Sequence, residues 1–383
     1  MLTSQIQSAI FKPSPVIRLM AFCWLIIKLF CYKLWLANRD FPLVPVHDIL
    51  LTAPPFVHSF FFAMMLFALS ALVFFPSKKW LIVLFMVAEL GSCLLDQNRW
   101  KPWEYQFMFM LLPVVFLQDE KRIKICWQII IVGLYFFSGL SKCNSGFILR
   151  VWNALILHEW MGITSQNPWV YRLGYALPLI EMAAGIALLF YRTRKFAVAI
   201  LCLMHIMLFI MLGPPAGNYT NAIWPWNLLM IFLLLYLFYS NHFEMAVLKQ
   251  KQLLVWAIAL CWWVMPWLNL AGYWDDYFSA VLYSGKSQNL YICTSNIKTK
   301  TNYRLYFKRT SNEQPCDSML SVSEWGMQTM NIVPNPEERV YRSIIRQWKL
   351  KNDSSGSDRF FILYPKHTKI RWLEIKVNAL LFK

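Results

Sequence analysis

Ionisable and amide side chains set within or beside long apolar runs are the residues of this sequence that could do chemistry, because each is costly in lipid unless it has a partner or a task. They are Glu89, Asp96 and Arg99, Lys142, Glu181, His205, and Asn221 with Asn227 in a turn that also carries Trp224 and Trp226. Carboxylates, a lysine and a histidine of this kind are the usual tools of proton transfer, and amides and tryptophans the usual walls of a pocket. Most of them fall at one end of their apolar runs. Mid-run Glu89, Glu181 and His205 could line a cavity that opens there.

Each residue also has a plainer reading. Asp96 and Arg99 are spaced (i, i+3), so they could simply form an ion pair at a helix end. Trp100, Trp103, Trp224 and Trp226 are the type that settles at membrane interfaces. His205 has apolar neighbours and reads either as an acid–base group or as a hydrogen-bonded packing residue. Lys142 sits where a lysine can snorkel to the headgroups.

The elements that must position these residues are membrane helices. The chain is 58% hydrophobic and only 15% charged, an excess of apolar surface that needs lipid as its solvent. Apolar runs fall near 16–36, 56–75, 80–96, 103–117, 125–140, 172–191, 196–213, 222–239 and 253–271. Each is read as crossing about 30 Å of hydrocarbon, the shorter ones tilted or reaching part of the way. With the N-terminus inside, nine crossings put Lys78 with Lys79, the Lys121, Arg122 and Lys124 cluster, the Arg192, Arg194 and Lys195 cluster, and Lys249 with Lys251 on the cytoplasmic side. Fewer cations, chiefly Arg39, Arg99, Lys101, Lys142, Arg150 and Arg172, fall opposite. The net charge of +17 is thereby assigned to membrane orientation and lipid headgroups, not to nucleic acid. The first run lacks a small-residue cleavage site and reads as a retained span.

The expected fold is an all-α polytopic membrane bundle of about nine helices over 1–271, followed by a small α+β domain over 272–383 on the non-cytoplasmic side. In the tail, 288–294, 303–308, 360–364 and 368–377 read as strands. Val322 to Met330 and Glu337 to Leu350 read as helices, the second opened by Pro334-Asn335-Pro336 and closed by a polar turn over 352–358. No metal-ligand spacing, glycine-rich phosphate loop or nucleophile motif is present. None of the nine cysteines is in a C-x-x-C spacing, which argues against thiol exchange, while Cys293 and Cys316 could pair if the tail faces an oxidising compartment.

Tyr135-Phe136-Phe137-Ser138-Gly139-Leu140-Ser141-Lys142-Cys143-Asn144, the Asp96-Gln97-Asn98-Arg99 turn, and His205 ahead of Asn221 and the Trp-Pro-Trp-Asn turn together resemble the HTTM-type membrane domain of vitamin K-dependent gamma-glutamyl carboxylases. There is a looser likeness to DoxX-like bacterial membrane proteins. The tail, around Leu282 to Gly285 and Trp325 to Arg339, resembles those of Bacteroidetes-type membrane proteins, which implies a bacterial inner membrane. The resemblance implies that Lys142 is the base that activates a reduced quinone, with His205 orienting it or carrying the proton. Ser141 stands where the carboxylases have a first lysine, and Asn144 where an acidic residue is usual. Desolvation is what would make a lysine neutral enough for that role, and a carboxylate such as Asp96 or Glu181 close by would oppose it. On this reading Asp96, Arg99, Glu181, Asn221, Trp224, Trp226 and Asn227 shape the pocket, and the substrate is a quinone, another lipophilic molecule or an exported protein. The alternative is a non-enzymatic scaffold whose tail docks an exported or membrane partner.

Overall fold

The computed structural model describes residues 11–164, 167–213, 221–239, 253–296, 302–303, 307–309, 315–316, 318–352, 357–366 and 369–375. Lys249, Lys251, most of the 213–218 turn and part of the 352–358 turn lie outside them. Among the described residues, five helices are long and apolar enough to cross a membrane: α1 (Pro13–Phe30), α2 (Pro55–Phe74), α5 (Glu120–Lys142), α8 (Arg194–Leu212) and α10 (Leu253–Leu270). The chain is therefore read as a multi-pass membrane protein. Shorter apolar helices occupy the other runs: α3 (Lys79–Leu95), α4 (Pro102–Phe116), α7 (Ala176–Ala187) and α9 (Ile223–Tyr239). Between α5 and α7 lies α6 (Phe147–Trp160), wound in wide π turns.

Prolines at the first helical positions start α1, α2 and α4, where a missing N–H costs nothing. Asp119 starts α5 by accepting from the backbone N–H of Lys121. The most hydrophobic 18-residue stretch of α5 is 89% buried, against 22% for that of α10, so α5 is the axis on which the others pack and α10 keeps a broad face for lipid.

After α10 the chain forms a five-stranded antiparallel sheet in the order β2-β3-β1-β4-β5. The strands are β1 (Asn289–Cys293), β2 (Phe307–Arg309), β3 (Ser318–Ser321), β4 (Arg359–Lys366) and β5 (Lys369–Glu374). Two helices, α11 (Val322–Met330) and α12 (Glu338–Asn352), complete the tail. In α11, Ser321 accepts from the N–H of Glu324 and the left-handed Asn331 ends the helix, two local signals written in the sequence. Strand β3 is the element not expected, because four residues with serine at both ends carry too little alternation to read. A disulfide joins Cys293 to Cys316.

The tail is docked on the loops that follow α1 and α3. Asn335 donates through its backbone N–H to Asn98 (3.1 Å) and through Nδ2 to the carbonyl of Gln97 (2.8 Å). Arg346 pairs with Asp48, Asn331 Nδ2 donates to the carbonyl of Phe30 (3.3 Å), and Trp325 packs its ring on Phe41. Gly285 crosses Gly146 backbone to backbone at φ +68°, with no room for a Cβ at either residue.

Candidate functional site: a chamber roofed by the tail

The Ser138-Gly139-Leu140-Ser141-Lys142 segment explains itself through packing. A Cβ at Gly139 would lie 2.6 Å from the carbonyl of Pro178, so only glycine lets α7 approach α5 this closely. That approach brings Glu181 onto Lys142. The Lys142 ammonium sits 2.7 Å from Glu181 Oε2 and 2.8 Å from Ser138 Oγ, one helical turn back on the same face.

His205 is held from two sides. Its Nδ1 lies 2.7 Å from Asn227 Oδ1 and its Nε2 lies 2.6 Å from the Tyr135 hydroxyl. Asn227 is oriented by donating Nδ2 to the carbonyl of Ile223 (2.9 Å), which assigns the proton to Nδ1 and makes Nε2 the acceptor from tyrosine. The imidazole thus ties α5, α8 and α9 together with both nitrogens occupied.

The Asp96 and Arg99 pair at a helix end is not what forms. Asp96 pairs instead with Arg39, and accepts from the N–H of Val44 (3.2 Å) and from Asn98. The cause is local: Asp96 is extended as the cap of the next turn, so its carboxylate faces the 39–44 strap while Arg99 folds back beneath. Arg99 spends its donors on the carbonyls of Leu34, Trp35 and Ser92, on Ser92 Oγ and on His58. Glu89 meets two residues that the sequence reading gave no role, Lys28 and Glu104. Lys28 Nζ is 2.6 Å from Glu89 and 3.3 Å from Glu104, and lies 3.4 Å from the centre of the Trp35 ring. Trp24 and Trp103 both donate their indole N–H to Glu104. The signal for Lys28 was available as the cation between Arg18 and Lys33 in an otherwise apolar stretch.

A cavity of about 360 Å³ lies between the bundle and the tail. Trp103 and Trp226 form its membrane side; Met327 and Tyr341 form its tail side. Trp226 is fixed by donating Nε1 to Gln106 Oε1 (2.9 Å) and packs near Trp103. Beneath lies a slot of about 20 Å³ that shares Pro102, Trp226, Tyr277 and Leu282 with the chamber and reaches Ser138. Neither Lys142 nor His205 lines the chamber, and Lys142 connects to it only through Ser138. Trp224 packs on Phe30 and Phe209, and Asn221 lies in the turn before α9.

Lys101 and Arg150 line the chamber wall, and the sequence marked neither as a site residue; of the two, Lys101 is the more deeply buried. It is 1% exposed and donates to the carbonyl of Val333 (2.7 Å) and to Asn335 Oδ1 (3.3 Å). Burial pushes its ammonium down to about 7. No group of three or more histidine, cysteine, aspartate or glutamate side chains that could hold a metal ion is found among the described residues. No family model, no curated protein and no solved structure matches this chain.

Proposed function

We propose that the chain crosses the membrane nine times, with its N-terminus in the cytoplasm and its tail outside, and takes up a lipophilic substrate with a polar head in the chamber under the tail. The observation that carries this reading is the composition of the wall: indoles from membrane helices on one side, polar residues of a water-facing domain on the other. The disulfide in the tail fits an oxidising compartment. The outward cations Arg39, Arg99, Lys101 and Lys142 each bond within the fold, so their presence on that side does not contradict the excess of basic residues opposite.

Within this reading, the likeness to gamma-glutamyl carboxylases makes a quinone one candidate substrate. Lys142 then acts from below the chamber through Ser138 as a positioning residue, since its ammonium is already engaged by Glu181. The test is titration of the full chain in lipid nanodiscs with a short-chain quinone, following tryptophan fluorescence. Saturable quenching is expected, and Met327→Trp, which fills the chamber, should abolish it. Quenching that never saturates, and is the same in both proteins, would sink the reading.

A scaffold role is the second reading. It is favoured by the completeness of the His205, Tyr135 and Asn227 contacts, which is what a bundle's internal glue needs.

A further inference from the structure

Among the described residues, the chamber wall contains two cations and no carboxylate. Lys101 and Arg150 both line it, while no aspartate or glutamate does. Elsewhere among the described residues, buried cations meet carboxylates directly: Lys28 has Glu89 and Glu104, Arg39 has Asp96, and Lys142 has Glu181. Arg99 and Arg194 instead donate to backbone carbonyls, and in Arg99 five acceptors use up its donors. Lys101 has two neutral acceptors and the face of Tyr277 at 5.2 Å. Arg150, half-buried on α6, makes no hydrogen bond or ion pair with any described residue. A buried cation without a counter-charge is costly, and an anion supplied from outside removes that cost.

The remainder of the wall says what carries the anion. Trp103, Ile223, Trp226, Leu282 and Met327 give the chamber an apolar side, and the slot toward Leu134 and Trp262 continues it into the bundle. A volume of about 360 Å³ suits a head and the first part of a chain, not a two-tailed lipid. Among polar atoms, Gln288 Oε1 is buried against the chamber without a partner, a position for a hydroxyl or amide N–H of the same ligand.

From these features we infer that the chamber binds a single-chain amphiphile headed by a phosphate monoester, the phosphate held by Arg150 and Lys101 and the chain lying along Trp103 and Trp226. Guanidinium is the side chain best matched to phosphate because its N–H groups present a planar fork, and a lysine adds a point charge. The inference rests on the chamber being a ligand site, as proposed above, and adds the charge and class of the head.

The probes are farnesyl phosphate, farnesol and inorganic phosphate, titrated into the full chain in nanodiscs of neutral lipid. Farnesyl phosphate is expected to bind at least about tenfold more tightly than farnesol. Arg150→Gln should collapse that ratio while the thermal unfolding midpoint stays unchanged, since Arg150 makes no hydrogen bond or ion pair with a described residue. Arg342→Gln, on the exposed side of α12, should leave the ratio unchanged. Equal affinity for farnesyl phosphate and farnesol overturns the anionic head while leaving the chamber a lipophile site. Inorganic phosphate binding as tightly as farnesyl phosphate overturns the lipid source in favour of a free anion. No binding of any probe to a folded protein removes this inference, and it counts against the chamber itself only if the quinone titration fails as well.

Discussion

Two clusters of buried charge sit within reach of the same tryptophan and differ in one respect. On one side of Trp103, Lys28 meets two carboxylates and an indole face, and the indoles of Trp24 and Trp103 cap Glu104. On the other side, Lys101 and Arg150 border the chamber, which no described carboxylate lines, and the carboxylates that act on Lys101, Asp96 and Glu104, are already paired with Arg39 and Lys28. The first cluster is closed and its charges are compensated inside the protein. The second is compensated only if something enters. Burial of an ionisable group therefore does not mark function by itself; burial beside a cavity, without the opposite charge, does.

The contrast can be broken most severely at Lys28. Lys28→Met leaves Glu89 and Glu104 buried without their cation, which should cost about 3–5 kcal/mol and most of the folded protein. Thermal unfolding in nanodiscs measures it, and an unchanged midpoint would mean that the closed cluster is not structural. Next in size, Cys316→Ser opens a loop between residues 23 positions apart and should cost the tail about 3 kcal/mol. Ligand affinity should then fall as the roof loosens, while the bundle's own unfolding stays put; loss of both together would mean that roof and bundle unfold as one unit.

The smallest expected effect concerns pH. Lys101 faces Asp96, Cys31, Arg39, Glu104 and the ring of Tyr277, and burial outweighs the rest to leave it near 7. Its folded value lies below the value of free lysine, so the charged form predominates below about pH 7 and is lost above it. An anion prefers that charged form. Affinity for farnesyl sulfate, whose head does not titrate, should therefore fall as pH rises from 6 to 8, by at most about tenfold per unit above 7. An affinity flat across that range would separate Lys101 from the head.

Much of the framework could be read from sequence because it is written locally. Proline starts, apolar length and the Ser321 to Glu324 cap fix helices without reference to anything distant. The site was less legible, because its chemistry depends on which helices meet. Glu181 was visible as a possible neighbour of Lys142, yet only Gly139 and the approach of α7 decide that the two touch. Asp96 and Arg99 have the right spacing for a pair, but chain direction at Asp96 turns them to different partners. Lys101 could not be ranked above Lys142, since bonding to neutral acceptors at a cavity wall, with no carboxylate in direct contact, is a property of the assembled structure.

The docking of the tail also sets an order of assembly. Asn331 bonds to Phe30 across 301 positions of chain, and Trp325 covers Phe41 across a comparable span. The loop after α1 leaves the ribosome long before the residues that cover it, and waits uncovered while the later helices are made. Contacts this distant in sequence form late and slowly. The roof is thus the last piece of the molecule to be set in place, and a chain interrupted before Val322 would leave a tryptophan-lined basin without Ser323, Met327 and Tyr341 above it.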